Sequence, residues 1–265
     1  MLDYHTHTYL CKHATGKPEE YLAAAEKAGL SELGVSDHSP WPSGYDPEWR
    51  MSPEEYPIYH EIIDNLRKIN SPVKVKYGVE TDWVPGKMDE TYANLAKYDF
   101  DYVIGSIHYV EDFPFDNPEV LPVWEIEGKA EWVWNNYYRL MLDYVSEGKF
   151  NIIGHFDLPK KFGSRPPASE NIAKLIDEIL TAASDNKIAI EINTSGIRRK
   201  ANEFYPNINI LKKAASKGVM LTFGSDSHHP DEIAANFADA VRMAKEVGFT
   251  HYHSFTKRIP TPIAL

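Results

Sequence analysis

The residues of this chain best able to do chemistry are its histidines and the carboxylates spaced among them. His5 and His7 stand two apart in the stretch DYHTHTYLCKH, and His13 closes it. On an extended segment residues i and i+2 point to one side, so two imidazoles would aim at one point. Further along come Asp37 and His38, Glu80 and Asp82, His108, His155 and Asp157, Glu191 and Asn193, and Asp226 and His228. Any one such histidine is ordinarily a hydrogen-bonded core residue. The set is another matter, because burying so many imidazoles and carboxylates without cations is costly, and a divalent metal makes each useful to the others. The candidate ligands are His5, His7, His13, His38, Glu80, His108, His155, Asp226 and His228. They outnumber the three protein donors of a single catalytic zinc, so two or three ions are expected. Mixed nitrogen and oxygen donors suit Zn, Mn or Fe rather than a purely Mg or Ca site.

Such residues need a frame that brings them together. Seven apolar or alternating runs read as strands: LDYHTH, ELGVSDH, VKVKYGVETD, DYVIGSIHYV, NIIGHFD, IAIEIN and VMLTFGSDSH. Between them lie amphipathic helical patterns: PEEYLAAAEKAG, PEEYPIYHEIIDNLRKI, KAEWVWNNYYRLMLDYVSEG, SENIAKLIDEILTAASD, INILKKAASKG and PDEIAANFADAVRMAKEVG. Several open on Pro, Glu or Asp and close on Gly, as helix ends prefer. Strands alternating with helices imply parallel strands with helical crossovers, and the repetition favours a distorted TIM-like (β/α)7 barrel over an open sheet. The candidate ligands then fall at the C-terminal ends of the strands, where a barrel gathers its functional groups. THYHSF could add a short strand, while SPWPSGYDPEWRMSP and FPFDNPEVLP read as long loops over one barrel face.

Length and composition set bounds. The 265 residues fit one α/β domain spanning 1–265, and a hydrophobic share of 43% with six tryptophans supports a substantial core. No apolar run reaches the ~18 residues of a membrane span. Met1 leads straight into an apparent strand without a basic leader, so the cytoplasm is the expected location. A net charge of −11 argues against a broad hold on long nucleic acid and leaves a small ligand as the expected partner. The single cysteine, Cys11, could be a ligand, a reactive thiol or a small buried residue, and the last is the expectation. The sequence leaves the oligomeric state open.

His5-Thr-His7 with His13, Ser36-Asp37-His38, Gly78-Val-Glu80, Ser106-Ile-His108, Gly154-His155-Phe-Asp157 and Ser225-Asp226-Ser-His228, taken in order, resemble the motifs of the polymerase and histidinol phosphatase (PHP) superfamily. GHFDLPKKFG and EINTSGIRRK look most like its histidinol-phosphate phosphatases. The resemblance implies a (β/α)7 barrel with three divalent metal ions. By it, His5, His7, Glu80 and Asp226 hold one ion. Glu80, His108 and His155 hold a second, with Glu80 as the bridge, and His13, His38 and His228 hold the third. The neighbouring His229 is expected outside, and His60, His251 and His253 carry no assigned role.

The implied reaction is hydrolysis of L-histidinol phosphate in histidine biosynthesis, with a metal-bridging hydroxide attacking phosphorus in line. Arg198 is the first choice for gripping phosphate, since a guanidinium fork matches two of its oxygens, with Arg199 and Lys161 as alternatives. Lys160 and Arg165 read as solvated loop charges. Asp37, Asp157 or a metal-bound water could protonate the leaving oxygen. Asp82 or Asp157 beside the aromatic stretch WVWNNYY would suit an amine and an imidazole, though aromatics at helical spacing more often pack inward. A nucleotide phosphatase or phosphodiesterase would keep the metals and change the substrate. A non-catalytic metal-binding protein would use the same cage, but open ligand positions argue for catalysis.

Overall fold

A computed structural model describes residues 1–44 and 46–265; Tyr45, within the first of the two expected long loops, lies outside the described residues. The architecture is α/β. Three parallel strands, β1 (Leu2–Asp3), β2 (Glu32–Val35) and β3 (Lys74–Tyr77), form one sheet. Five more, β4 (Glu80–Asp82), β5 (Ile104–Ser106), β6 (Ile152–Ile153), β7 (Ala189–Asn193) and β8 (Met220–Gly224), form a second, also parallel and in sequence order. The strands are shorter than the sequence runs, because the residues beyond each one turn out of the ladder to carry the polar groups.

The run VKVKYGVETD divides into β3 and β4 at Gly78–Val79. The Gly78 N–H still donates to Val35 O of β2 (2.8 Å), while Val79 O accepts from Ile104 N of β5 (2.9 Å), so one run serves both sheets. Gly78 is required there: a Cβ would come within 2.5 Å of the Tyr102 ring and hydroxyl. Tyr102 stacks on Tyr4 with centroids 4.5 Å apart, and its hydroxyl donates to Tyr4 O (2.6 Å). At the other margin Tyr4 N donates to Phe223 O (3.0 Å) and Thr6 pairs in parallel with Ser227. His38 pairs likewise with Glu80.

Helices α1 (Pro18–Lys27), α2 (Tyr56–Lys68), α3 (Met88–Leu95), α4 (Leu121–Trp124), α5 (Lys129–Glu147), α6 (Glu170–Asp185), α7 (Ile208–Ser216) and α8 (Phe237–Glu246) separate the strands. Along α6 the residues Ile172, Leu175, Ile176, Ile179, Leu180 and Ala183 recur at helical spacing and are all buried. Each large side chain there contributes about 1.5–3 kcal/mol. The aromatic stretch of α5 does the same: Trp134, Tyr137 and Tyr138 are fully buried, so they are core and not a wall for a substrate. The last helical pattern begins later than its sequence suggests, because Pro230–Glu232 forms a separate 3₁₀ turn before Phe237. Helices α3 and α4 have no counterpart in the sequence reading.

THYHSF supplies β9 (His251–Thr256), which pairs antiparallel with β10 (Ile259–Ala264). Strand β10 was masked in the sequence by Pro260 and Pro262. Two residues apart, both prolines turn their missing N–H the same way, which only an edge strand tolerates. Among the described residues no helix is long and apolar enough to cross a membrane.

Candidate metal centre and its cavity

The candidate ligands converge just beyond the strand ends. His5 and His7 follow β1, His38 follows β2, Glu80 opens β4, His108 and His155 lie two residues past β5 and β6, and Asp226 and His228 follow β8. His13 follows a 3₁₀ turn, Tyr9–Cys11, closed by Lys12 in a left-handed conformation (φ 72°). Asp226 is itself left-handed (φ 53°), a sparsely populated conformation for a non-glycine residue that surrounding bonds must hold.

Four of the seven rings are oriented by what lies behind them. Nδ1 of His5 faces the Glu191 carboxylate (3.0 Å), Nδ1 of His108 faces Asp82 Oδ1 (2.8 Å), Nδ1 of His13 faces Cys11 O (2.7 Å), and Nδ1 of His228 faces Asp226 O (3.1 Å). With Nδ1–H donating backward, the lone pair of Nε2 is left for the interior, as a metal ligand requires. The Nε2 atoms of His5, His7 and His228 and Oε2 of Glu80 are buried without any hydrogen-bond partner. Buried polar atoms normally find partners, and this group lacks them collectively.

The spacing fits cations. Glu80 Oε2 lies 3.2 Å from His5 Nε2 and 3.6 Å from His7 Nε2, while Asp226 Oδ1 lies 3.8 and 3.3 Å from the same two nitrogens. Donors about 2.0–2.1 Å from a tetrahedral ion sit roughly 3.4 Å apart, so these four match such an edge. On the other oxygen of the same carboxylate, Glu80 Oε1 lies 2.9 Å from His155 Nε2 and 3.6 Å from His108 Nε2. The rings of His13, His38 and His228 cluster with centroids 4.6–6.2 Å apart.

The electrostatics agree. Burial pushes the imidazoles of His13, His38 and His228 down, which keeps them neutral and able to donate a lone pair. Burial opposes protonation of His5 as well, but the carboxylates of Glu191, Glu80 and Asp226 outweigh it and raise the group well above its ordinary value. His7 is raised to about 9 in the same way: burial acts downward, but the neighbouring carboxylates of Asp226 and Asp37 prevail. Despite burial, neighbouring histidines hold Glu80 and Asp226 well below the carboxylate range. Protons occupy the places where positive charge is favoured, and a divalent ion would displace them.

Above this floor opens a cavity of about 580 Å³. Its floor includes His13, His38, Glu80, His108, His155, Asp226 and His228, and its walls include Trp49, Arg50, Tyr109, Asp116, Lys161, Phe162, Arg199 and Tyr205. Lys161 Nζ donates to Asp116 O (2.9 Å) and pairs with its carboxylate (3.1 Å).

Several expected roles change here. Arg198 is absent from the cavity wall, where Arg199 stands instead; its Nη2 donates to Ser225 O (2.9 Å) and Asp226 O (3.3 Å), and Nε lies 3.1 Å from Glu232. Its Nη1 is nevertheless buried without a partner. Asp82 does not face the cavity either, because both oxygens are engaged: Oδ1 by the His108 backbone N–H (3.1 Å) and ring, Oδ2 by Arg50 (2.7 Å). Asp37 is wholly buried, accepting from Thr8 N (3.1 Å), the Thr8 hydroxyl and His38 N (2.8 Å), with Oδ1 3.5 Å from His7 Nδ1. Asp157 Oδ2 accepts from Lys160 (2.9 Å) and from the Asn207 backbone N–H (3.0 Å) at the start of α7. Neither Asp37 nor Asp157 lines the cavity, so neither is placed to protonate a leaving group there. Lys160, expected as a solvated charge, is buried in that same network. Cys11 is a small buried residue whose thiol donates to Thr8 O (3.1 Å), and burial pushes its pKa up.

Sequence reasoning did not single out Arg50, Asp116 or the orienting role of Glu191. Arg50 and Asp116 come from the two long loops, where no periodicity indicates which side chain turns inward. Glu191 was visible as a charge in the otherwise apolar AIEIN, the one signal that could have marked it.

Comparison with known proteins accords with this geometry. The PHP domain model matches residues 3–195. A Deinococcus radiodurans protein named "Probable histidinol-phosphatase" is 39% identical over 249 residues, covering 94% of each chain. The histidinol-phosphatase of Bacillus subtilis is 27% identical, covering 87% of this chain and 94% of its own. The crystal structure of histidinol phosphate phosphatase from Lactococcus lactis, complexed with zinc, L-histidinol and phosphate, superposes with a TM-score of 0.83 at 24% identity and 98% coverage of both chains. With its ligand motifs in order, its parallel sheets and these relatives, the chain belongs to the PHP domain family.

Proposed function

We propose that this chain is a metal-dependent phosphomonoesterase that hydrolyses L-histidinol phosphate to L-histidinol and inorganic phosphate. The observation that carries the reading is the set of converging, partnerless ligand atoms at the base of a cavity whose wall presents Lys161 and Arg199. The names borne by the relatives supply the substrate. In this reading the chain is one PHP-type domain over 1–265. Its two sheets close into a distorted (β/α)7 barrel, supported by the Thr6–Ser227 and His38–Glu80 pairings and by the shared run around Gly78. It acts in the cytoplasm, as a step of histidine biosynthesis, on a small phosphorylated substrate and not on long nucleic acid.

Three divalent ions, Zn, Mn or Fe, would be held by His5, His7, Glu80 and Asp226, by Glu80, His108 and His155, and by His13, His38 and His228. When bound, such ions supply a nucleophilic water of lowered pKa and positive charge toward phosphate oxygens. The chain's own residues do the rest. Lys161 and Arg199 meet the phosphate dianion from the wall, a charge-assisted contact that fixes the ester for in-line attack. Arg198 keeps the Ser225–Asp226 turn in place. Asp116, beside Lys161, and the rings of Trp49 and Tyr109 suit the cationic, imidazole-bearing remainder of the substrate. With Asp37 and Asp157 turned away, protonation of the leaving oxygen falls to water in the site.

The test is phosphate release from L-histidinol phosphate, with a nucleoside monophosphate in parallel and the metal matched. A strong preference for histidinol phosphate, lost on chelation, supports the proposal. Activity confined to the nucleotide would leave the metal chemistry standing and overturn the substrate.

A further inference from the structure

Strand β7 contributes nothing to the proposed ligand set, although β4 and the segments after β5, β6 and β8 all do. Its inward residues are nevertheless wholly buried and fully engaged with ligands on three other elements. Both oxygens of Glu191 lie 3.0 Å from Nδ1 of His5, and Oε1 also accepts the backbone N–H of His155 (2.8 Å) and Nδ2 of Asn193 (2.9 Å). Asn193 Nδ2 in turn reaches Asp226 Oδ2 (3.2 Å), which the Ser195 hydroxyl also approaches (3.1 Å). Space for the carboxylate is built in: a Cβ on Gly224 would come within 2.5 Å of both Glu191 Oε2 and His5 Cβ.

We infer that Glu191 is a positioning residue that holds His5 and His155 in mutual register, and so sets the pair of ions bridged by Glu80 while leaving the third ion untouched. The inference rests on the three-ion reading of the centre. The physical basis is twofold. A carboxylate accepting Nδ1–H of His5 fixes the tautomer that presents Nε2, and raises its basicity. The same carboxylate, by capturing the His155 N–H, fixes where the ligand after β6 emerges. His5 belongs to one ion and His155 to the other, so a single buried group governs their separation. His13, His38 and His228 touch neither Glu191 nor Asn193, and Nδ1 of His13 and His228 is held by backbone carbonyls.

The test uses the full chain, stripped with chelator, reloaded with zinc and desalted. Bound zinc per chain is counted by mass spectrometry of the metal, and affinities are measured by competition with a chromophoric chelator. Glu191→Gln keeps the shape of the side chain and is expected to lower retention from three ions to one, with the affinity of the lost pair falling about 10–100-fold. Gly224→Ala reaches the same contact from β8 without altering a polar group and is expected to lose the same two ions, so the inference does not depend on one variant folding. A merely architectural role for Glu191 would lower the unfolding midpoint of the ion-free chain and leave the stoichiometry of the reloaded chain at three. That outcome, or equal weakening of all three ions, would overturn the inference while the metal centre stood. Failure of the wild-type chain to retain zinc would instead overturn the reading of the centre, and the inference with it.

Discussion

Replacing Asp82 by Asn tests how the site is held together without its ions. Asp82 joins the backbone N–H and ring of His108 to the guanidinium of Arg50, and all three groups are largely enclosed. Burial alone would depress the His108 imidazole, but the Asp82 carboxylate outweighs it and raises the group from 6.5 to about 9. At about 1.36 kcal/mol per pKa unit, that difference corresponds to about 3 kcal/mol. The depression of Asp82 to about 2, where burial acts upward and His108 and Arg50 prevail, describes the same contact from the other partner and is not added.

The sign follows from linkage. The folded value lies above the unfolded one, so the contribution is fully present below pH 6.5 and is lost as the pH rises through about 9. The Arg50 contact adds a cost of about 1.5–3 kcal/mol that does not vary over this range, since Arg50 stays charged and retains Asp46 at 3.1 Å. Urea unfolding of chelator-treated wild type and Asp82→Asn should therefore differ by about 5 kcal/mol near pH 6, and by only about 2 kcal/mol near pH 10. A difference that stays constant, or grows with pH, would show that the Asp82–His108 contact does not stabilise the fold in this way.

Other outcomes follow from the same contacts. Lys161→Met and Arg199→Met should each lower kcat/KM for the phosphate ester about 10²–10³-fold with metal content unchanged, whereas Arg198→Met should also lower metal retention, because its guanidinium holds the carbonyls of Ser225 and Asp226. Metal affinity, measured by chelator competition across pH, should rise about tenfold per pH unit for each displaced proton and become less steep as the pH passes the His7 and His108 values of about 9; a flat profile from pH 6 upward would contradict it. Gly78→Ala should cost about 1–3 kcal/mol in urea unfolding, because the added methyl meets the buried Tyr102 ring.

What could be seen in the sequence was the chemistry of the strand ends. Histidine and carboxylate after apolar runs mark a cage wherever parallel strands end together, and His5, His7, Glu80 and Asp226 stand where that logic puts them. Period alone misleads one step out. Glu80 and Asp82 share a strand face, so spacing suggests that both enter the site, but Asp82 stops behind His108 and answers to Arg50. Arg198 and Arg199 are adjacent, and no pattern tells which turns inward until the 3₁₀ turn Thr194–Arg198 ends and Arg199 becomes extended (ψ 173°). Lys160 reads as a surface charge, yet Asp157 and the carbonyl of Phe204 (2.7 Å) hold it inside. Apart from the Asp157–Lys160 pair, three positions apart, these contacts join residues tens of positions apart, and local pattern does not carry them.

A metal-reconstitution titration tests the metal-dependent phosphatase most directly: phosphate release from L-histidinol phosphate is followed as zinc or manganese is returned to the stripped chain, with bound metal counted at each point. Turnover should be absent without metal and climb as the cage fills, saturating near three ions per chain. Full metal occupancy without phosphate release would contradict this and leave a cage that binds ions without catalysis.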